Sequence, residues 1–323
     1  MRWTIFLSVL SICLAAPAAR SEPAVPAAQL SPAVVPGAYE YRLPSRHTGK
    51  TYRIQVAAVG PAPTQGYPVL YVLDGDAFFP VAAMAAQGMW MRAEENGAVP
   101  MLLVGVGYSD QHFLDLAARA EDYTPPSEDY SQTGDRLSRR FGGADAFHRF
   151  LTEELRPDLA HRFPLNPQQQ NLFGHSYGGL FALYSLMKYP ASFRNRLAAS
   201  PSIWWNQRRI LQEWPAFSGR LAAAGEGRFG LRLSAGQYEE TLAPHLPRSS
   251  QRQAVLSERA MVSEVQHFGA QLLKPQYRQL SVETVTYPEE THASVALLAI
   301  GDGIRWLYAR CREDAGCRPP LFR

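Results

Sequence analysis

Residues 171–184 read NLFGHSYGGLFALY. An apolar run ends at Gly174, a serine stands in Gly174-His175-Ser176-Tyr177-Gly178, and a second apolar run follows with small residues at Gly178, Gly179 and Ala182. This is the pattern of a strand that turns sharply into a helix. Such a turn holds its central residue in a strained backbone, asks for glycine on both sides for clearance, and lifts the serine hydroxyl out of the chain toward the positive end of a helix. Ser176 is therefore the expected nucleophile. The alternative, a structural turn serine, would leave the chain without the partners that a nucleophile needs: a base, an acid behind it and a hole for negative charge.

Outward from this turn the chain alternates strand and helix. YPVLYVLDGD (67–76) and PMLLVGVGYSD (100–110) are short runs, apolar on both sides, that end in Gly and Asp, as buried parallel strands do. GADAFHRFLTEELRPDLAHRF (143–163) carries Phe147, Phe150, Leu151 and Leu155 at helical spacing. RNRLAASPSIWW (194–205) and GRFGLRLSAGQYEE (227–240) repeat the strand with a polar end. A helix is expected near Gln253–Leu273, then the strand in LSVETVTYPEETHASV (280–295), then a last helix from Val295. Ahead of all this, Tyr39–Leu43 and Tyr52–Val59 read as a hairpin joined through Thr48-Gly49. The expected fold is one α/β domain over residues 37–323 with a mostly parallel sheet, and ligands bind such sheets beyond the carboxyl ends of their strands.

The first residues read as an export signal. Arg2 precedes the apolar run Ile5–Ala16, and small residues follow, with Ala16-Pro17-Ala18 or Ala19-Arg20-Ser21 as the expected cleavage site. The run is shorter than the roughly 20 residues that span a bilayer. Residues 1–21 are the expected signal, and 22–36, with Pro23, Pro26, Pro32 and Pro36, an extended lead-in. Losing Arg2 and Arg20, and no acid, takes the formal charge from +3 to +1. A nearly neutral chain gives no reason to expect a nucleic-acid partner, and the mature part is not expected to insert into a membrane. Cys13 leaves with the signal. Cys311 and Cys317 are expected to pair in an oxidising compartment, and without a neighbouring His they make a poor metal site.

A serine hydroxyl needs a base, and after a strand–turn–helix nucleophile the order is acid, then His. Of the eight histidines, His47, His112, His148, His161 and His175 precede or adjoin Ser176. His245 lies in a Pro-flanked loop and His267 in a helical pattern. His292, after a strand and before the final helix, is the expected base. The acid should follow the strand FGLRLSAG, where Glu239 and Glu240 both stand; Glu239 is preferred, with a Ser–His pair lacking an acid as the alternative. The oxyanion donors are expected to be the N–H of Tyr177 and that of Asp76, after Gly75. Asp74 is expected to brace that loop.

With these residues in place the sequence resembles the α/β-hydrolase superfamily, and more narrowly its esterase group that includes the periplasmic trilactone siderophore esterases. YVLDGD, ARAEDYTPP, GGADAFHRFLTEELRP, GHSYGGLFALY, SPSIWW, Gly236–Glu239 and THASV carry the likeness, across most of residues 45–300. The resemblance implies hydrolysis of the ester backbone of a catecholate siderophore such as ferric enterobactin, in the periplasm, by Ser176, His292 and Glu239. It implies no cofactor, iron arriving only with the substrate. A ferric tris-catecholate is a bulky aromatic trianion, so cations and flat walls are sought near the serine. Arg136, Arg139 and Arg140, with Arg119, Trp204 and Trp205, are the candidates for binding it, and segment 108–142 the candidate wall. Basic surface and buried tryptophan are the competing readings. The rival activities are a general carboxylesterase or an acyltransferase acting on a small acyl, feruloyl or thioester substrate, and a non-catalytic siderophore binder.

Overall fold

The computed structural model describes residues 34–108, 112–225, 227–314 and 317. The expected signal at 1–21 and most of the lead-in at 22–36 lie outside the described residues.

Each strand expected above is a strand of one sheet. In chain order these are β1 (Ala38–Pro44), β2 (Thr51–Val59), β3 (Tyr67–Leu73), β4 (Met101–Gly107), β5 (Leu165–His175), β6 (Asn195–Ala199), β7 (Phe229–Gly236) and β8 (Leu280–Tyr287). They lie in the order β1-β2-β4-β3-β5-β6-β7-β8. The first two are the expected hairpin, and β2 also runs antiparallel to β4; every other pairing is parallel. This single α/β domain is of α/β-hydrolase type.

Because β3 and β4 are covered on both faces, all their residues are buried. Alternation along β3 divides the core: Val69, Tyr71 and Leu73 join one apolar cluster, Leu70 and Val72 the other. The helix Gly75–Trp90 and the final helix Val295–Glu313 cover the second face, while Tyr177–Lys188 and its neighbours cover the first. Cys311 and Cys317 are disulfide-bonded, with Cα atoms 5.0 Å apart, at the end of the final helix. Two elements differ from expectation. The 143–163 helix contains a π-helical stretch, Phe150–Leu155. The expected helix near 253–273 is two, Ser250–Arg259 and Met261–Leu272, split at Ala260, whose φ is 46°. Among the described residues no helix is long and apolar enough to cross a membrane.

β5 is central, with β3 and β6 beside it. Its carboxyl end therefore meets the turns after both neighbours, and those turns build the site.

Candidate active site

Ser176 follows β5 directly with φ 60° and ψ −116°, a strained conformation for a residue with a side chain. Its N–H donates to Ala199 O at 3.0 Å, and its carbonyl accepts from Leu180 N–H and Ser202 N–H. The glycines around it are not equivalent. A Cβ on Gly174 would sit 2.1 Å from the Gly178 carbonyl oxygen, and one on Gly179 2.8 Å from that of Ala199. One on Gly178 would find its nearest neighbour at an ordinary 3.5 Å. Clearance is thus demanded at Gly174 and Gly179, not at Gly178, because the helix packs its first turn back over β5 and β6.

His292 lies in the connection from β8 to the final helix, and its Nε2 is 3.0 Å from Ser176 Oγ. Its Nδ1 is 2.6 Å from Glu239 Oε2. Glu239 closes the 3-10 turn after β7, with 1% of its surface exposed. Its Oε1 accepts from Gly236 N–H at 2.6 Å and from Ser200 Oγ–H at 2.5 Å, which leaves Oε2 facing the imidazole. A carboxylate that accepts there places the ring proton on Nδ1 and leaves the Nε2 lone pair for the serine proton. Glu240 points elsewhere, accepting from Ser263 N–H and Oγ–H at the start of the helix Met261–Leu272. The three residues singled out in the sequence are therefore brought into one hydrogen-bonded line, Ser176–His292–Glu239.

Tyr177 is the first residue of its helix and Asp76 the second of the helix Gly75–Trp90, so both backbone N–H groups stand in first turns beside the serine's strand end. The Asp76 carboxylate turns away, accepting from Tyr108 N–H and Arg53. Asp74, with φ 52°, stands just before this helix, and its N–H donates to Tyr123 Oη at 3.1 Å.

Arg119 corrects the substrate-binding assignment. It is buried, donates to both Asp74 oxygens at 2.9 and 3.0 Å, and reaches the His175 carbonyl at 3.2 Å. Burial opposes its charge, yet Asp74 raises its pKa further above the ordinary arginine value. One guanidinium thus ties Asp74, the residue before the helix that carries Asp76, to the carbonyl of His175, the last residue of β5. Trp205 is also corrected: it is 1% exposed and packs between Tyr130 and Phe141 as core. Trp204 is half-buried, its ring 6.3 Å from that of Tyr177. Arg139 and Arg140 line a cavity of about 590 Å³ with Tyr130, Asp135 and Phe141. Arg140 is paired with Glu121, and Arg136 is exposed outside that lining. The cavity meets the nucleophile's helix where Tyr177 Oη donates to Asp135 at 3.1 Å.

Three neighbours of the site escaped sequence reading. His175 donates from Nε2 to the His292 carbonyl at 2.8 Å, its ring 4.6 Å from that of His292. Burial, then the neighbouring His292, holds its pKa well below the ordinary value, so it is a neutral prop for the base's loop. Ser200 buttresses Glu239, and Ser202 places its hydroxyl 3.4 Å from Ser176 Oγ. The one available signal for both serines was their position just past the end of a strand adjacent to β5.

A family model described as "Putative esterase" matches residues 45–276. The chain is 32% identical over 246 residues to the ferri-bacillibactin esterase BesA of Bacillus subtilis, spanning 73% of this chain and 84% of that protein. It is 34% identical over 259 residues to a siderophore enterobactin esterase of Emericella nidulans, spanning 77% and 84%. The crystal structure of the BES protein from Bacillus cereus superposes with a TM-score of 0.75 at 31% identity, covering 86% of this chain and 98% of that one.

Proposed function

The chain belongs to the esterase family whose model it matches, and from that membership we propose that it hydrolyses the ester backbone of a catecholate siderophore such as ferric enterobactin. The observation that carries the reading is the continuous line from Ser176 Oγ through His292 to the buried Glu239, at 3.0 and 2.6 Å.

Ser176 Oγ attacks the ester carbonyl carbon as its proton passes to His292 Nε2. The carbonyl π electrons move to oxygen, and the N–H groups of Tyr177 and Asp76 hold that oxyanion, each donor worth about 3 kcal/mol of barrier. Glu239 keeps the imidazolium oriented and stabilised. The C–O bond to the leaving alcohol breaks as His292 returns the proton to it. Water then attacks the acyl-enzyme with His292 again as base, releasing the acid and free Ser176. No resident metal or cofactor takes part; iron enters and leaves with the siderophore. The N-terminal sequence pattern supports export, and we place the reaction in the periplasm.

Purified protein incubated with ferric enterobactin is expected to yield linear dihydroxybenzoylserine oligomers by mass spectrometry. Ser176→Ala is expected to leave the trilactone intact and to escape labelling by a fluorophosphonate. Intact ferric enterobactin after incubation with untreated wild type, a separate aliquot of which takes the fluorophosphonate, would refute the substrate; a near-normal Ser176→Ala would refute the nucleophile.

A further inference from the structure

Of the four arginines sought beside the serine, Arg119 pairs with Asp74 and Arg140 with Glu121; Arg208, four residues past Trp204, pairs with Glu264. Arg259 is different. Its guanidinium carbon lies 4.2 Å from the centre of the Trp204 ring, and among the described residues no carboxylate pairs with it. It is the last residue of the helix Ser250–Arg259, none of whose described side chains is buried. The next residue, Ala260, adopts a left-handed φ of 46°, unusual for a residue with a Cβ, and this turn begins the following helix. A helix with no buried side chain among those described, and with a strained end, thus delivers one cation that no carboxylate pairs to one ring.

That ring is next to the chemistry. Trp204 is two residues past Ser202, whose hydroxyl is 3.4 Å from Ser176 Oγ, and it neighbours the ring of Tyr177, the residue after the nucleophile. Arg259 acts on the same place, its charge opposing the burial and the Asp135 carboxylate that raise the Tyr177 pKa. A guanidinium over an indole is held by the ring's electron-rich face while its N–H fork stays free to meet two adjacent anionic oxygens. The indole is half-buried, and a second ring can pack on the part of it that stays exposed. A flat ring with two neighbouring oxygens that carry negative charge satisfies both groups at once. A neutral, aliphatic arm satisfies neither.

We propose that Trp204 and Arg259 form the subsite for one catecholate ring of the substrate, Trp204 by stacking and Arg259 by paired N–H bonds to adjacent phenolate oxygens, and that they select catecholate over hydroxamate esters. This rests on the reading of the site as a siderophore esterase. Iron-bound catecholates form a trianion, whereas a ferric trihydroxamate is neutral, so charge separates the two classes. Arg259 selects by binding and takes no part in proton transfer.

The test compares ferric enterobactin with ferric triacetylfusarinine C. In the full chain, Arg259→Gln is expected to lower the ratio of kcat/KM for the catecholate over the hydroxamate about tenfold, carried by KM, as loss of a charge-assisted fork predicts. Arg259→Lys, which keeps charge without the fork, should fall between. Calorimetric titration of ferric enterobactin into Ser176→Ala and into Ser176→Ala/Arg259→Gln should show the same tenfold rise in Kd without turnover, and a flatter dependence on salt in the double variant. An unchanged ratio and Kd, in a wild type that hydrolyses ferric enterobactin, would overturn the subsite and leave the esterase reading standing. A wild type that leaves ferric enterobactin intact would overturn that reading before Arg259 is altered, and the subsite with it.

Discussion

Replacing Glu239 by Gln separates the two jobs of this carboxylate. It is buried and takes three hydrogen bonds, from Gly236 N–H, Ser200 Oγ–H and His292 Nδ1–H. A glutamine fits the same space, and its carbonyl oxygen at the Oε1 position keeps the first two bonds. Its amide then stands at the Oε2 position and donates, so His292 Nδ1 has to accept. The ring proton moves to Nε2, where it faces Ser176 Oγ 3.0 Å away and blocks acceptance of the serine proton. Loss of the correct tautomer is expected to lower kcat about 10³–10⁴-fold, which is about 4–5.5 kcal/mol of barrier, with little change in KM. Stability should fall by only about 1 kcal/mol, the worth of one hydrogen bond. Glu239→Ala should cost more stability, about 3 kcal/mol, because Gly236 N–H and Ser200 Oγ–H lose their acceptor and a cavity opens. The assay is steady-state hydrolysis of a 4-nitrophenyl ester and of ferric enterobactin, with urea unfolding in parallel. Glu240→Gln is the control, since the Glu240 carboxylate bonds Ser263 at the start of a helix and not His292, and its kcat should stay within about threefold of wild type. A Glu239→Gln enzyme within tenfold of wild type would refute the reasoning and leave a Ser–His pair that works without its acid.

The glycines of the nucleophile turn should respond oppositely to alanine: Gly174→Ala, driven into the Gly178 carbonyl, is expected to abolish soluble folded protein, whereas Gly178→Ala should hold or gain about 0.5–1 kcal/mol in urea unfolding. Arg119→Met leaves Asp74 buried and unpaired and should destabilise by about 3–5 kcal/mol, with Arg119→Lys intermediate; a loss below about 1 kcal/mol would show that this ion pair does not hold the turn. His148 is buried, and burial followed by the nearby Arg196 and Arg156 lowers its pKa from 6.5 to about 3. Its folded pKa is the lower one, so its neutral form contributes fully above pH 6.5, and stability is lost as pH falls from there toward 3, by up to about 1.4 kcal/mol per unit. Between pH 7.5 and 5 the wild type should therefore lose about 2 kcal/mol more than His148→Gln, read by urea unfolding at each pH; parallel curves would refute the assignment.

What could be read along the chain was whatever chemistry acts within a few residues. The turn at Ser176 is written in its glycines and flanking apolar runs, and each buried strand in its uninterrupted hydrophobic residues. His292 followed from chain order, and Glu239 from its place after β7. Where a helix break depended on one residue, as at Ala260, periodicity alone ran the two helices together, since a left-handed alanine leaves no mark in the apolar spacing. Arg119 illustrates the limit best. Beside a polar loop it reads as a cation for substrate or for the surface, and only the packing of its helix against Tyr177–Lys188 shows it inside, with Asp74 as partner.

The sequence by itself determined the elements, the strained turn and the residue types able to form a serine–histidine–acid line. Only the tertiary structure decided which of two adjacent glutamates faces the histidine, which of two adjacent tryptophans is core, and which arginine is left unpaired over a ring. The reason is physical. Local rules act through backbone geometry over one or two turns, but these choices are made by side chains 53 or more positions apart. Such residues meet only because β5 lies between β3 and β6, with β7 and β8 in order beyond, an arrangement set by burial of the whole sheet rather than by any one segment.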